Sequence, residues 1–324
     1  MRLKHYFLLN DTVILYFLAK LCYIFINVLK FYMFYNLKED VYMSNKVKIT
    51  ADSTNDLSPE LVEKYNIEIV PLYINLDENS YRDGVDIKQE DIFSYFDNYG
   101  KVAKTSAVPV LDYMDIFKKY VEEGYDVIHI NISSEMSSSY QNANLAASEV
   151  GNTFVIDSRN LSTGSAHITL LAAKMAQDGY SAEEIVKAIN SIVDKVEASF
   201  VIDTLTYLHK GGRCSTVAQL GANLLKLKPC IEVTNGKMHV GKKYRGSLEK
   251  CLKNYVTDRL EGRTDIDLNR IFITHTKCSP EIIQMVKDAI NSLQKFNQVI
   301  VTDAGCTISS HCGPNTLGIL FVKN

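Results

Sequence analysis

Length, composition and charge place this chain among ordinary globular proteins. It has 324 residues, 46% of them hydrophobic, enough to bury one large core or two moderate ones. Its 35 basic and 38 acidic residues give a formal charge of -3 and are scattered without blocks of one sign, which argues against a nucleic-acid-binding surface. Seven widely spaced cysteines in a chain of this length indicate free thiols in a reducing cytoplasm rather than a disulfide framework.

The first 44 residues differ from the rest of the chain. Residues 12–29 are apolar for about the length of a membrane span, but Lys20 near their middle costs roughly 3 kcal/mol on insertion scales. No small-residue cleavage site follows, as a signal peptide would require. Three interpretations stay open: Met43 is the true start, residues 1–44 anchor the protein in a membrane, or they form a helix that binds a partner.

From Lys46 onward, short β-branched runs alternate with helical stretches, which is the pattern of a layered α/β sheet. A strand is predicted at 47–50, followed by a helix with Ser58 as N-cap and Pro59 in its first position. An extended buried run is predicted at 67–76. The next predicted elements are a helix through Met114, Phe117 and Val121 that ends at Gly124, a strand at 127–132, a helix at 140–150, a strand at 154–157 and a helix around Ile168, Leu171 and Met175.

The later part of the chain adds an antiparallel element. Asn235-Gly236, the strongest short-range hairpin signal, joins predicted strands at 230–234 and 237–245. Around it are predicted a helix with a Ser181–Glu184 capping box that carries Ile185, Ile189, Ile192 and Val196, a strand at 271–274, a helix opened by Ser279-Pro280-Glu281, and strands at 299–302 and 317–322. The predicted fold class is α/β with two domains, 45–160 and 161–324, after the extension at 1–44.

Hydroxyl side chains are concentrated after predicted strands, whereas the common catalytic motifs are absent. They occur at 52–54, 105–106 and 133–139. In open α/β sheets, ligands bind outside the carboxyl ends of the strands, and the serine run at 133–139 also opens a predicted helix, whose positive end suits an anion. Serine at a helix start is usually only a cap, so capping and ligand binding both stay open here.

His311 lies in a turn-rich stretch and is either a bystander or a functional group that titrates near neutrality. Cys306 and Cys312 lie near it, but no second cluster at zinc-ligand spacing accompanies them, so no metal is expected. The motifs at 210–213 and 242–245 each place an arginine beside flexible or hairpin backbone. Such arginines bind a phosphate or a carboxylate, or they are solvated surface groups.

Six ordered motifs resemble the DegV family over about residues 46–323. They are DSTNDLS at 52–58, KTSAVP at 104–109, ISSEMSSSYQNA at 132–143, IDS at 156–158, KGGR at 210–213 and SHCGPNTLG at 310–318. The resemblance implies a two-domain α/β fold that holds a long-chain fatty acid between its domains. It also implies that the protein supplies this acid to a bacterial fatty acid kinase, is not itself an enzyme and needs no cofactor.

The same resemblance implies roles for particular residues. Thr105 and Ser137 match the family positions that hydrogen-bond the carboxylate. Secondary contacts to the ligand or to the kinase are implied for five further residues: Ser106, Ser134, Arg213, Arg245 and His311.

The sequence departs from the family pattern beside both hydroxyls. Glu135 and Ser138 replace glycines, and Ala107-Val108 stands where the family has glutamine before Pro109. If either glycine position needed positive φ, the replacement would cost about 1 to 2 kcal/mol. Glu135 would also weaken anion binding unless it points to solvent.

An enzyme acting on a small acylated or phosphorylated substrate is the alternative function. It would use Ser137 as nucleophile and His311 as base. These two side chains would then lie within hydrogen-bond reach of each other, which is a geometric requirement that a structure can test.

Overall fold

The computed structural model of the chain describes residues 46–216 and 227–324, together with residues 16, 20–21 and 23–30 of the N-terminal extension. Residues 23–30 are helical (α1). Within these described ranges, no helix combines the length and the apolar character needed to cross a membrane. Met43 and most of the extension lie outside the described residues, so the three interpretations of residues 1–44 stay predictions.

Strands and helices alternate through most of residues 46–324. The strands are β1 Lys46–Asp52, β2 Glu68–Val70, β3 Tyr73–Leu76, β4 Asn79–Arg82, β5 Lys104–Ser106, β6 Tyr125–Asn131, β7 Thr153–Asp157, β8 Val196–Val201, β9 Leu227–Thr234, β10 Lys237–Arg245, β11 Ile266–Thr276, β12 Gln298–Asp303 and β13 Thr316–Lys323. The helices are α2 Pro59–Lys64, α3 Gln89–Tyr99, α4 Val110–Glu122, α5 Ser139–Val150, α6 Ser162–Gln177, α7 Ala182–Asn190, α8 Thr206–Gly211, α9 Leu248–Leu260, α10 Pro280–Leu293 and α11 Cys306–Cys312.

These strands form three sheets. A parallel sheet has the order β2-β1-β6-β7, and a small antiparallel sheet has the order β4-β3-β5. A mixed six-stranded sheet has the order β10-β9-β8-β13-β11-β12, in which only β11 and β12 run parallel. A parallel α/β sheet beside a second sheet with an antiparallel hairpin is the architecture predicted from the sequence, so the α/β fold class is confirmed.

Local signals in the sequence produce the predicted helix starts and the hairpin. The Ser58 hydroxyl accepts the Leu61 N–H at the start of α2, and the Ser181–Glu184 capping box opens α7. Asn235 and Gly236 both have positive φ, as the tight turn between β9 and β10 requires.

Two predicted elements were wrong. The run at 67–76 is split between β2 and β3, which belong to different sheets, because Pro71 lacks the N–H that a continuous strand would use. Helix α7 ends at Asn190, so Ile192 and Val196 lie beyond it, in a turn and at the start of β8. Their helical spacing reflects burial in one core, not one helix.

The largest hydrophobic core joins the parallel sheet to the six-stranded sheet. Ile49 and Ile128 of the parallel sheet share it with Ala198, Phe272 and Leu320 of the six-stranded sheet. Helix α6 packs in the same core through its buried alanine and leucine side chains. Residues 46–324 group as one compact unit on this basis. The predicted domain boundary near residue 160 stays a prediction.

Candidate functional site

A cavity lies where loops from the parallel sheet meet helix α11. Its apolar walls come from segments in or next to strands of all three sheets and from α11. The residues that form them are Leu72, Ala107, Ile132, Met136, Leu161, Met238, Ile308 and Cys312. Ile132 and Met136 follow strand β6, and Leu161 follows β7, so the cavity lies at the carboxyl edge expected for a ligand of an α/β sheet.

Five of the seven site residues predicted from the sequence line this cavity: Thr105, Ser106, Ser137, Arg213 and His311. The other two do not. The Ser134 backbone N–H donates to Asp157, and Arg245 is exposed at the end of β10. The sequence therefore identified five polar groups of the cavity but neither Thr307, whose buried hydroxyl has no hydrogen-bond partner among the described residues, nor the apolar walls.

Thr105 and His311 form a direct pair although 206 residues separate them in the chain: Thr105 Oγ1 lies 2.8 Å from His311 Nε2. The sequence predicted both residues in loops or turns, whereas Thr105 lies within strand β5 and His311 within helix α11. Burial, helped by the positive charge of Arg213, lowers the pKa of His311 to about 4. The imidazole is therefore neutral at physiological pH.

The surroundings of the ring favour one tautomer of His311. Its Nδ1 is buried and has no hydrogen-bond partner among the described residues. A Cβ atom at Gly211 would lie 2.2 Å from this nitrogen, so the α8 backbone packs closely against it. Because a buried N–H without a partner is rarer than an unsatisfied acceptor, we place the proton on Nε2. Nε2–H then donates to Thr105 Oγ1, which leaves the threonine proton for a ligand.

Ser137 lies in the turn before α5 and has a different partner. Its Oγ accepts the backbone N–H of Ser139 at 3.1 Å and lies 2.9 Å from Ser139 Oγ. The enzyme alternative needs Ser137 beside His311, yet His311 is bonded to Thr105 instead. The nucleophile–base pair of that alternative is not formed.

The two replaced glycines leave the serine loop unstrained. Positive φ occurs at neither Glu135 nor Ser138, whose φ is -76°. Glu135 is exposed and pairs with Lys237 Nζ at 3.2 Å, next to the hairpin turn. Ser133 Oγ donates to the Gly236 carbonyl oxygen at the same contact. The negative charge of Glu135 is thus directed to the hairpin, outside the cavity lining.

Two buried carboxylates hold the first turn of α11 in place. Asp83 accepts the backbone N–H groups of Cys306 and Thr307 at 2.8 and 3.1 Å. Asp56 accepts the N–H of Gly305 at 2.7 Å. Helix α11 supplies His311 and three other cavity-lining residues, so these contacts fix the position of those residues in the cavity wall. No motif in the sequence predicts this role for Asp83.

Asp52 joins the loops that follow β1 and β6. Its carboxylate accepts the backbone N–H groups of Ile132 at 2.7 Å and of Thr54 at 3.1 Å. Burial raises the pKa of Asp52 to about 6, although these hydrogen bonds oppose the shift. The DSTNDLS motif is therefore a buried support for the loop that carries Ser137.

The cysteines show no sign of metal or disulfide chemistry within the described residues. Six are free and buried there, and no group of three or more side chains of the metal-binding kinds comes together in that part of the chain. Cys312 lines the cavity, and burial raises the pKa of its thiol. It is an uncharged, apolar part of the wall.

Sequence comparison matches residues 46–324 to the family model described as an uncharacterised protein of the DegV family. A DegV domain-containing protein from Caldanaerobacter subterraneus is 33% identical over 280 residues, which cover 85% of this chain and 98% of that relative. Another from Clostridium perfringens is 31% identical over 281 residues, covering 86% and 99%.

Solved structures show the same fold. A DegV lipid-binding protein from Thermotoga maritima is 28% identical with a TM-score of 0.76, covering 86% of this chain and 98% of that protein. A DegV family protein from Thermus thermophilus, described by its fatty acid binding, is 27% identical with a TM-score of 0.77, covering 86% and 100%. A stearic-acid-binding protein from Eubacterium ventriosum is 26% identical with a TM-score of 0.73, covering 86% and 98%.

Proposed function

Because the chain belongs to the DegV family, we propose that it binds a long-chain fatty acid, with the carboxylate at Thr105 and Ser137 and the hydrocarbon in the cavity. The proposal rests on one observation, which is the composition of the cavity lining. Hydroxyl groups and a neutral imidazole line it together with aliphatic and sulfur-containing side chains. The three similar solved structures support it, since each is described as binding a lipid or a fatty acid.

Burial of the hydrocarbon supplies the affinity. Each methylene group transferred from water into an apolar cavity contributes about 0.8 kcal/mol, so a long acyl chain contributes more than about 10 kcal/mol before association costs are subtracted. Five apolar residues of the cavity lining provide this environment: Leu72, Ile132, Met136, Leu161 and Ile308.

The carboxylate is held by neutral donors. With the His311 proton on Nε2, Thr105 donates its own hydroxyl proton to the ligand. Ser137 Oγ accepts the Ser139 N–H, and when Ser139 Oγ is the donor of their 2.9 Å contact, the Ser137 proton is available in the same way. Arg213 is exposed at the cavity and adds an attractive charge without a buried ion pair. Neutral donors satisfy the anion and leave it available to react.

Binding is tested by extracting lipids from the purified protein, identifying them by mass spectrometry, and measuring palmitate and oleate affinity after delipidation. Thr105→Val and Ser137→Ala each remove a hydrogen bond to a charged group, worth about 1.5 to 3 kcal/mol, so affinity falls roughly ten- to a hundredfold. Thr257→Val on α9 and Ser148→Ala on α5 are matched controls whose hydroxyls bond only their own helices. Delipidated wild-type protein that binds neither palmitate nor oleate would refute the proposal.

We further propose that the protein presents the bound acid to a fatty acid kinase, which places it in the cytoplasm. Arg213 and Arg245 are both exposed, and neither has a carboxylate partner among the described residues. Arg213→Ala and Arg245→Ala should slow acyl phosphate formation in a reconstituted kinase assay. Arg82→Ala, which removes a surface arginine paired with Asp86, should not. Equal rates for all three variants would contradict a role for these arginines in docking.

A further inference from the structure

Thr307, in the first turn of α11, carries a hydroxyl group that the protein itself leaves without a hydrogen bond. The residue is only 4% exposed and lines the cavity together with Ile308 and His311. Its Oγ1 is closed to solvent and has no partner, and it is the only buried serine or threonine hydroxyl in the described part of the chain of which this is true. An unsatisfied buried hydroxyl is costly, so it calls for a partner that enters the cavity.

The other hydroxyls of α11 show that this is not a general property of the helix. Ser309 Oγ donates to the Ala304 carbonyl oxygen at 3.3 Å, and Ser310 Oγ donates to a carbonyl oxygen of the preceding turn at 2.8 Å. The Ala304 carbonyl, three residues before Thr307, also accepts Gln89 Nε2 at 2.7 Å. Both of its acceptor positions are therefore used, and it offers Thr307 no hydrogen bond within the helix.

Thr307 lies one helical turn from His311. Residues four apart in a helix are neighbours on one face, with Cβ atoms about 5 to 6 Å apart, so both side chains share the face of α11 that lines the cavity. His311 Nε2 lies 2.8 Å from Thr105 Oγ1, where the carboxylate is proposed to bind. The unsatisfied hydroxyl is therefore close to the first carbons of a bound acid and not to its methyl end.

The charge beside Thr307 favours a neutral oxygen atom as its partner. The carboxylate of Asp83, a buried residue, accepts the Thr307 backbone N–H at 3.1 Å. A second carboxylate at this position would be repelled, and plain hydrocarbon would leave the hydroxyl unsatisfied. A hydroxyl group on the acyl chain avoids both costs, because it can accept a hydrogen bond from Thr307 or donate one to it.

From this arrangement we infer that Thr307 is a specificity-determining residue, which selects long-chain acids with a hydroxyl group on one of the first few carbons after the carboxyl group. The inference rests on the proposed function and adds a substrate class to it. A hydroxyl group near the methyl end of the chain would instead lose its water without gaining a partner, so such an acid binds more weakly.

The inference is tested by measuring the dissociation constants of palmitate and 3-hydroxypalmitate for the wild type and for Thr307→Val. Valine has nearly the shape of threonine but no hydroxyl group. The ratio of the two constants is the readout, because changes in the cavity that affect both acids cancel in it. Loss of one hydrogen bond between neutral groups should shift this ratio against 3-hydroxypalmitate by roughly tenfold in Thr307→Val.

Thr307→Ser is the matched control. It keeps the hydroxyl group, so it should keep the wild-type ratio. A ligand control uses 16-hydroxypalmitate, whose hydroxyl group is at the methyl end, and the wild type should bind it more weakly than 3-hydroxypalmitate. This comparison needs no substitution and keeps the test decisive if Thr307→Val does not fold.

The outcomes separate this inference from the proposed function. Wild-type protein that binds none of these acids would reject the proposed function. Wild-type protein that binds palmitate but does not distinguish 3-hydroxypalmitate from 16-hydroxypalmitate would reject only the role of Thr307. Equal ratios in the wild type and Thr307→Val would reject that role too, including the case in which the substitution weakens both acids by the same factor.

Discussion

Replacing Asp83 by asparagine should loosen helix α11 and thereby the wall of the cavity. The Asp83 carboxylate accepts the N–H groups of Cys306 and Thr307 and the hydroxyl of Ser53, the last at 2.9 Å. Asparagine keeps the size of the side chain but has one oxygen instead of two. One donor at the start of α11 then faces an NH2 group, and the helix loses a negative charge at its positive end.

The loss can be estimated from these contacts. A hydrogen bond to a charged acceptor contributes about 1.5 to 3 kcal/mol, and a charge at a partly buried helix N-terminus contributes up to about 2 kcal/mol. The two terms describe overlapping interactions, so their sum is an upper bound. We expect the free energy of unfolding to fall by about 2 to 3 kcal/mol.

Urea unfolding of the full chain measures this change. The midpoint should fall at an unchanged slope, as for a mutation that alters only stability. Asp86→Asn is the control, because Asp86 is an exposed aspartate that pairs with Arg82 on the surface, where solvent screening leaves such pairs little effect on stability. Palmitate affinity should fall with Asp83→Asn and not with Asp86→Asn. Equal unfolding midpoints for the two variants would refute the role of Asp83 in holding α11.

Three further predictions concern titration and packing. The pKa of Asp52 is about 6 in the folded protein against an ordinary 3.8. Its contribution to the free energy of unfolding, about 3 kcal/mol, is therefore fully present below about pH 4 and is lost as the pH rises to 6. Asp52→Asn should remove this pH dependence when the free energy of unfolding is measured from pH 4 to 7. The pKa of His311, about 4 without ligand, should rise when palmitate binds, because a carboxylate beside the ring favours its charged form, and NMR titration of the imidazole detects the shift. Gly211→Ala places a methyl group against His311 Nδ1 and should weaken palmitate binding although alanine favours a helix, whereas unchanged affinity would show that the ring tolerates displacement.

Signals that act within a few residues made much of the fold predictable. Ser58, Ser181 and Ser279 each cap the helix that the sequence assigns to them, because a cap depends on the backbone only three residues away. The Asn235-Gly236 turn forms the expected hairpin for the same reason. Helix α11 was missed because it is short, is buried on most of its surface and therefore lacks amphipathic periodicity.

The site was predictable only where the family motifs covered it. Thr105 and Ser137 were found through those motifs, and both line the cavity. Leu72 and Met238 were missed, because apolar residues that line a cavity look the same in sequence as those that fill a core. The contacts of Asp83 with Cys306 and Thr307 connect residues more than 220 positions apart, at distances that no local pattern records.

Electrostatics at two helix starts explains why a carboxylate would be held near Ser137 instead of at α11. The positive end of α11 already faces the carboxylate of Asp83, so an additional anion there would be repelled. Helix α5 has no acidic residue in its first turn, and its Ser139 N–H donates to the neutral Ser137 Oγ, so its positive end has no fixed negative charge beside Ser137. With the fixed carboxylate of Asp83 at one helix and the neutral donors at the other, a carboxylate bound as proposed would avoid the desolvation cost of a buried ion pair. It would also lie on the side of the cavity where Arg213 is exposed, as the proposed presentation to a kinase requires.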